Sequence, residues 1–81
     1  MERRNNLEIT AEILQLAEKG ARKTHIAYGA NLNHRFLDKY LDRLEAQDLI
    51  TRNVAAKRVQ TTEKGLRFAQ QYRDLLQLTG L

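Results

Sequence analysis

The chain has no cysteine and no serine among its 81 residues. Without cysteine there are no disulfides and no thiolate metal ligands. Without either residue, two of the usual nucleophiles of covalent catalysis are missing. No glycine-rich phosphate loop or paired-carboxylate motif replaces them, so the sequence reads as a non-enzyme. The two histidines, His25 and His34, are too few for a zinc site, and His34 has no carboxylate or second histidine at a recognisable spacing. No metal and no cofactor are expected. No apolar run approaches the length that spans a bilayer, and the start MERRNN lacks the apolar core of a signal peptide. A cytoplasmic protein with no membrane partner is expected. Repeats, low-complexity tracts and linkers are also absent, which predicts a single domain over residues 1–81 with no separate ligand-binding unit.

Acidic residues are missing from two stretches. None occurs from Lys19 to Leu37, and none from Leu49 to Thr62. Those tracts hold Lys19, Arg22, Lys23, Arg35, Arg52, Lys57 and Arg58, seven positive charges. The net charge of the whole chain is +4, so the remainder carries −3. If the tracts meet in space, they form one strongly positive surface, and a polyanion is its natural partner. A solvated basic face that only aids solubility is the plainer reading of the same charges.

The richest stretch runs from Lys23 to Ile50. Thr24 is expected to cap a short helix over His25–Ala30 anchored by Ile26. Gly29 and Asn31 suit a tight turn, because both tolerate unusual backbone. Asn33 then caps a longer helix, with Leu32 and Leu37 at hydrophobic-staple spacing. On that helix Phe36, Leu37, Tyr40, Leu41 and Leu44 share an apolar side, while Arg35, Asp38, Lys39 and Asp42 lie opposite. This is the pattern of a helix-turn-helix, whose second helix reads bases in the DNA major groove. An ordinary helical hairpin would show much of the same pattern.

Around this pair the sequence predicts a first helix over about Leu7–Lys19, opened by an Asn5/Glu8 capping box and stopped at Gly20. Its buried face is Ile9, Ile13, Leu14, Leu16 and Ala17. Arg3 and Arg4 precede it as a solvated basic arm. Two short strands, Ile50–Val54 and Arg58–Thr61, are anchored by Val54 and Val59 and joined by Ala55-Ala56-Lys57, without an Asn-Gly or Asp-Gly turn. Thr62 caps a last helix that ends near Thr79-Gly80. Gly65 in its first turn predicts close packing. Leu66 and Ala69 suit the core, and Phe68, Tyr72, Leu75 and Leu76, with Leu78 or Leu81, suit a homodimer contact along the helix at about 62–79. The fold class is mostly α with a short β-hairpin, in the order α-α-α-β-β-α.

Five pieces make this sequence resemble the small archaeal winged helix-turn-helix DNA-binding proteins, the ArnR-like regulators and the Sso-type dimeric proteins. They are Gly20-Ala21-x-Lys23-Thr24-x-Ile26-x-Tyr28, Ala30-Asn31-Leu32, Tyr40-Leu41-x-x-Leu44, Asp48-Leu49-Ile50 and Thr62-Glu63-Lys64-Gly65. The resemblance covers nearly the whole chain. It implies a winged-helix monomer that dimerises through its C-terminal helix, often as an antiparallel coiled coil. The chain departs from the pattern at Thr61, where such proteins commonly place Leu, at Gly29, where they often place Lys, and in its short last helix.

The resulting assignments give Lys23 and the first turn after Thr24 to phosphate, and Asn33, His34 and Arg35 to base edges, with Asn33 divided between a base and its cap. Lys39 reaches phosphate or a second base. Arg52, Lys57 and Arg58 hold backbone from the wing. Asp38 and Asp42 would repel phosphate unless paired with Arg35, Lys39 or Arg43 at helical spacing. The expected partner is double-stranded DNA, with no small-molecule ligand. A protein-interaction winged helix and a general chromatin-type protein are the rival readings of a transcriptional regulator.

Overall fold

Side-chain caps open three of the four helices in the computed structural model, which describes residues 4–79. The Asn5 carboxamide oxygen accepts from the Glu8 N–H at 2.8 Å and starts α1 (Asn6–Leu16). Asn33 accepts from the Phe36 N–H at 2.8 Å and starts α3 (His34–Ala46). Thr62 Oγ1 accepts from the Gly65 N–H at 3.0 Å and starts α4 (Glu63–Leu78). Each bond satisfies a first-turn donor that has no partner within its own helix. The short helix α2 (Lys23–Gly29) differs from expectation. It begins two residues early and its N-cap is Arg22, which makes no side-chain capping bond. Thr24 therefore lies inside the helix and is not its cap. Gly29 is the last residue of α2, and the turn itself is made by Asn31 at φ 55°.

The sheet has one more strand than the sequence predicted. Besides β2 (Ile50–Asn53) and β3 (Arg58–Thr61), Ala21–Arg22 forms β1, and the order is β1-β3-β2 with both pairings antiparallel. A two-residue strand has no alternation to read, and it follows a turn at residues 17–19 where the helix was expected to continue. α1 stops at Leu16, and Gly20, at φ +82°, turns the chain into the strand. The hairpin closes through residues 54–57. Asn53 Oδ1 accepts from the Ala56 N–H at 3.0 Å, and Lys57 takes the left-handed conformation at φ 55° that Gly more often supplies. β2 ends at Asn53, so Val54 is not a strand anchor: it is 86% exposed at the turn. Val59, on the central strand, is buried as expected.

Ile9, Ile13, Leu14, Ile26, Leu37, Leu41, Leu44, Ile50 and Val59 form the centre of one buried cluster, with Leu32, Tyr40 and Phe68 packed against it. Phe36 and Leu66, expected to face inward, remain exposed. Arg4 is not a solvated arm: it pairs with Glu12 and donates to the Ala30 carbonyl, tying the start of the chain to the end of α2. Arg3, Gly80 and Leu81 lie outside the described residues.

Thr61, one of the departures from the family pattern, is the one buried polar residue among those described. Its hydroxyl donates to the Leu14 carbonyl at 2.6 Å, and its N–H to the Ala17 carbonyl at 3.0 Å. The end of α1 leaves the Leu14 carbonyl without a helical partner, whereas the Ala17 carbonyl also accepts from the Gly20 N–H at 3.0 Å, so a leucine at this position would lose the bond to Leu14. Gly65 packs as its position predicted. A Cβ there would overlap the Leu49 carbonyl oxygen and lie 2.7 Å from Thr61 Cγ2. That oxygen cannot easily retreat, because it accepts from the Thr62 N–H at 3.0 Å. Gly65→Ala gains helix propensity of about 1 kcal/mol, but the clash with fixed backbone outweighs it. The variant should lose about 1–3 kcal/mol in a denaturant titration.

Candidate nucleic-acid interface

Strand pairing brings the two acid-free tracts together. β1 belongs to the first and β3 to the second, and their register sets Arg22 directly across from Arg58. A groove of about 490 Å³ opens beside this pair, between the N-terminal half of α3 and the β2–β3 hairpin. Arg22, Lys23, Thr24, His34, Arg52, Lys57 and Arg58 line it together with one acid, Asp38, and Leu41 and Val59 lie at its floor. Among the described residues, Arg22, Arg35, Lys57 and Arg58 are in no ion pair. Like charges directly opposed across a sheet are destabilising. No acid among the described residues pairs with either arginine, so this face of the sheet is positive.

The predicted site residues divide into three groups. Thr24, His34, Lys57 and Arg58 are exposed along the groove, and Arg35 is exposed on α3. Lys39 is also exposed, with its ammonium 5.9 Å from the centre of the Phe36 ring, so an aromatic face steadies it on the outer side of α3. Asn33 is exposed, and its side-chain oxygen accepts the helix cap bond.

Lys23 and Arg52 form the third group, and both are engaged within the protein. Lys23 pairs with Asp38. Arg52 turns away from the hairpin tip toward α3, where Nε and Nη2 donate to Glu45 Oε1 at 3.1 and 2.6 Å and Nη2 donates to Asp42 Oδ1 at 2.9 Å. The hydrogen bond to Glu45, opposed by partial burial and aided by Asp42, raises the guanidinium pKa above its ordinary value. The acids of α3 thus find partners on α2 and β2, not at helical spacing on their own helix. Sequence spacing could not show this, because it carries no information about which neighbouring element lies across a helix face.

Two residues of this surface were not singled out from the sequence. Arg22 was counted only as charge, and its place opposite Arg58 depends on the unexpected β1. Tyr28 is 90% exposed on α2, lining a hollow with Thr24, Asn31 and His34.

The order is now complete: a short helix, a left-handed turn at Asn31, a capped helix, then an antiparallel hairpin packed beside it. The winged helix-turn-helix family model matches residues 3–80. The chain belongs to that family. In winged-helix terms α3 is the recognition helix and β2–β3 the wing. This winged helix is 31% identical over 77 residues to an uncharacterized protein, MJ0287, of Methanocaldococcus jannaschii, covering 94% of this chain and 77% of that one. It is similar in structure to Sso10a-2, a DNA-binding protein from Sulfolobus solfataricus, with a TM-score of 0.85 and 26% identity over 95% of this chain and 83% of the other.

The cap at Asn33 sets the first turn of the recognition helix. Asn33→Ala should lower stability by about 1 kcal/mol, whereas Asn33→Asp should retain most of it, since Asp caps as well. Thermal unfolding of both variants checks this.

Proposed function

We propose that this winged-helix protein is a transcriptional regulator that binds double-stranded DNA as a homodimer, with α3 in the major groove and the wing on the phosphate backbone. The observation that carries this reading is the convergence of the two acid-free tracts on one groove beside the recognition helix. The structural likeness to a DNA-binding protein supports it. Arg35, on the exposed side of α3, is the candidate for two hydrogen bonds to a guanine edge, with His34 beside it. Lys57 and Arg58 on the wing, Arg22 behind them and Lys39 on α3 are the candidates for phosphate. The net charge of +4 is mild for a protein that coats DNA, which favours a regulator over a chromatin protein.

Binding to duplexes at several salt concentrations tests this. Arg35→Ala should relax sequence discrimination by about 1–3 kcal/mol at one base pair. Lys57→Ala with Arg58→Ala should weaken binding to all duplexes alike and flatten the slope of log K against log salt by about 2. Failure of the wild-type protein to shift random duplex DNA at low salt would instead favour a protein-interaction role.

The dimer reading rests on α4. Phe68, Tyr72 and Leu75 follow one another at four- and three-residue spacing, as in a coiled-coil seam, and Leu76 flanks them. Phe68, Tyr72 and Leu76 are half-buried against the same chain. Leu75 and Leu78 are 61% and 83% exposed, and beyond Ala69 no residue of the helix is fully buried. The exposed end of the seam is therefore the part available to a second copy. In sedimentation equilibrium the wild type should run at twice the chain mass. Leu75→Gln should shift it toward the monomer and weaken DNA binding with it.

A further inference from the structure

The carboxylates of α3 stand at positions 38, 42 and 45, a spacing that aligns them in one stripe along the helix. The stripe runs down the flank that faces α2 and the wing, where Asp38 meets Lys23 and both Asp42 and Glu45 meet Arg52. Bare carboxylates along that flank would lie beside Arg35 and Lys39, on the helix that would enter the groove, and would repel the phosphates on either side. Arg52 spans from β2 to two of them. Its Nε and Nη2 are both occupied, and its side chain is only 29% exposed. With that edge of the guanidinium committed, Arg52 is poorly placed to grip a phosphate as well.

We propose that Arg52 is a positioning residue for DNA docking, which acts by cancelling the Asp42–Glu45 edge of the recognition helix and not by touching the DNA backbone. The inference rests on the DNA-binding reading above. It separates the cations of the acid-free tracts into those that screen the helix's own acids and those that meet the ligand. An ion pair this close to solvent adds little to folding stability, so the loss of Arg52 appears in binding and not in unfolding.

The test compares wild type, Arg52→Met, Asp42→Asn/Glu45→Gln and the combined triple variant, by anisotropy with one labelled mixed-sequence duplex at fixed low salt. Thermal unfolding of each variant runs in parallel. Arg52→Met keeps the side-chain length and removes the charge. It should unfold near the wild-type temperature yet bind about tenfold more weakly, because the exposed acids it leaves unpaired act on phosphate through solvent that screens them. Neutralising the two acids in the Arg52→Met background should restore wild-type affinity or better. In nitrogen-15 NMR spectra, the Arg52 Nε–H resonance should stay in place at DNA saturation while that of Arg58 moves. Unchanged affinity in Arg52→Met, a loss that persists in the triple variant, or an Arg52 resonance that shifts as far as that of Arg58 would each overturn the inference. If the wild type itself does not bind the duplex, the DNA-binding reading falls and this one with it. Binding by wild type with no effect of Arg52→Met removes this inference alone.

Discussion

The pairing of β1 with β3 is the contact on which the rest of the molecule's surface depends. It consists of only two registered residue pairs, Ala21 with Val59 and Arg22 with Arg58. The first pair is buried and the second exposed, so one side of a very short ladder joins the core while the other enters the groove. β3 is the central strand, and its end is fixed from behind by Thr61, which bonds the Leu14 and Ala17 carbonyls where α1 stops. The end of the first helix, the wing and the start of the last helix are therefore set against one another by a few neighbouring hydrogen bonds. Two residues of strand would not hold by themselves, since isolated short ladders are marginal in water. They hold here because Ala21 and Val59 bury apolar surface and β3 is already anchored on its other edge.

That arrangement runs against local electrostatics. Arg22 and Arg58 oppose each other, with Lys57 adjacent and no acid within either tract to relieve them. Acids were available nearby: Asp38, Asp42 and Glu45 all lie on the recognition helix. They take Lys23 and Arg52 instead and leave the Arg22–Arg58–Lys57 group without an anionic partner among the described residues. Local conflict of this kind, in an otherwise consistent fold, is expected where a surface serves a ligand.

What the sequence disclosed follows from the range of the interactions concerned. Asn5, Asn33 and Thr62 were readable as caps because each bonds an N–H three residues away. Gly65 was readable as a close contact because glycine early in a helix is otherwise unfavourable. β1 was not readable, because Ala21–Arg22 becomes a strand only through a partner more than thirty residues on. Val54 misled for the opposite reason: its β-branched side chain favours a strand, but the Asn53 side chain begins the turn before it. Thr24 looked like a cap by residue type, yet the chain leaves β1 straight into α2 at Lys23, so the helix begins before Thr24 is reached. Among the site residues, Arg35 and Lys39 could be placed from helical period alone. Arg52 could not, since its direction depends on which face of β2 packs over α3.

The same distinction governs how net charge should be read in so small a protein. Seven cations in two tracts suggested a surface of +7, but two of them neutralise α3 acids that lie outside the tracts. The charge available to a ligand is lower than the tract count and differently placed. It is concentrated in Arg22, Lys57 and Arg58 around the tip of the wing and in Arg35 and Lys39 on the helix. Under the DNA-binding proposal the free cations therefore stand on both sides of a neutralised seam, with Arg22, Lys57 and Arg58 toward phosphate on one side and, on the other, Arg35 toward a base edge and Lys39 toward phosphate. Affinity on such a surface would depend less on the total charge of +4 than on the distance that the wing keeps from α3.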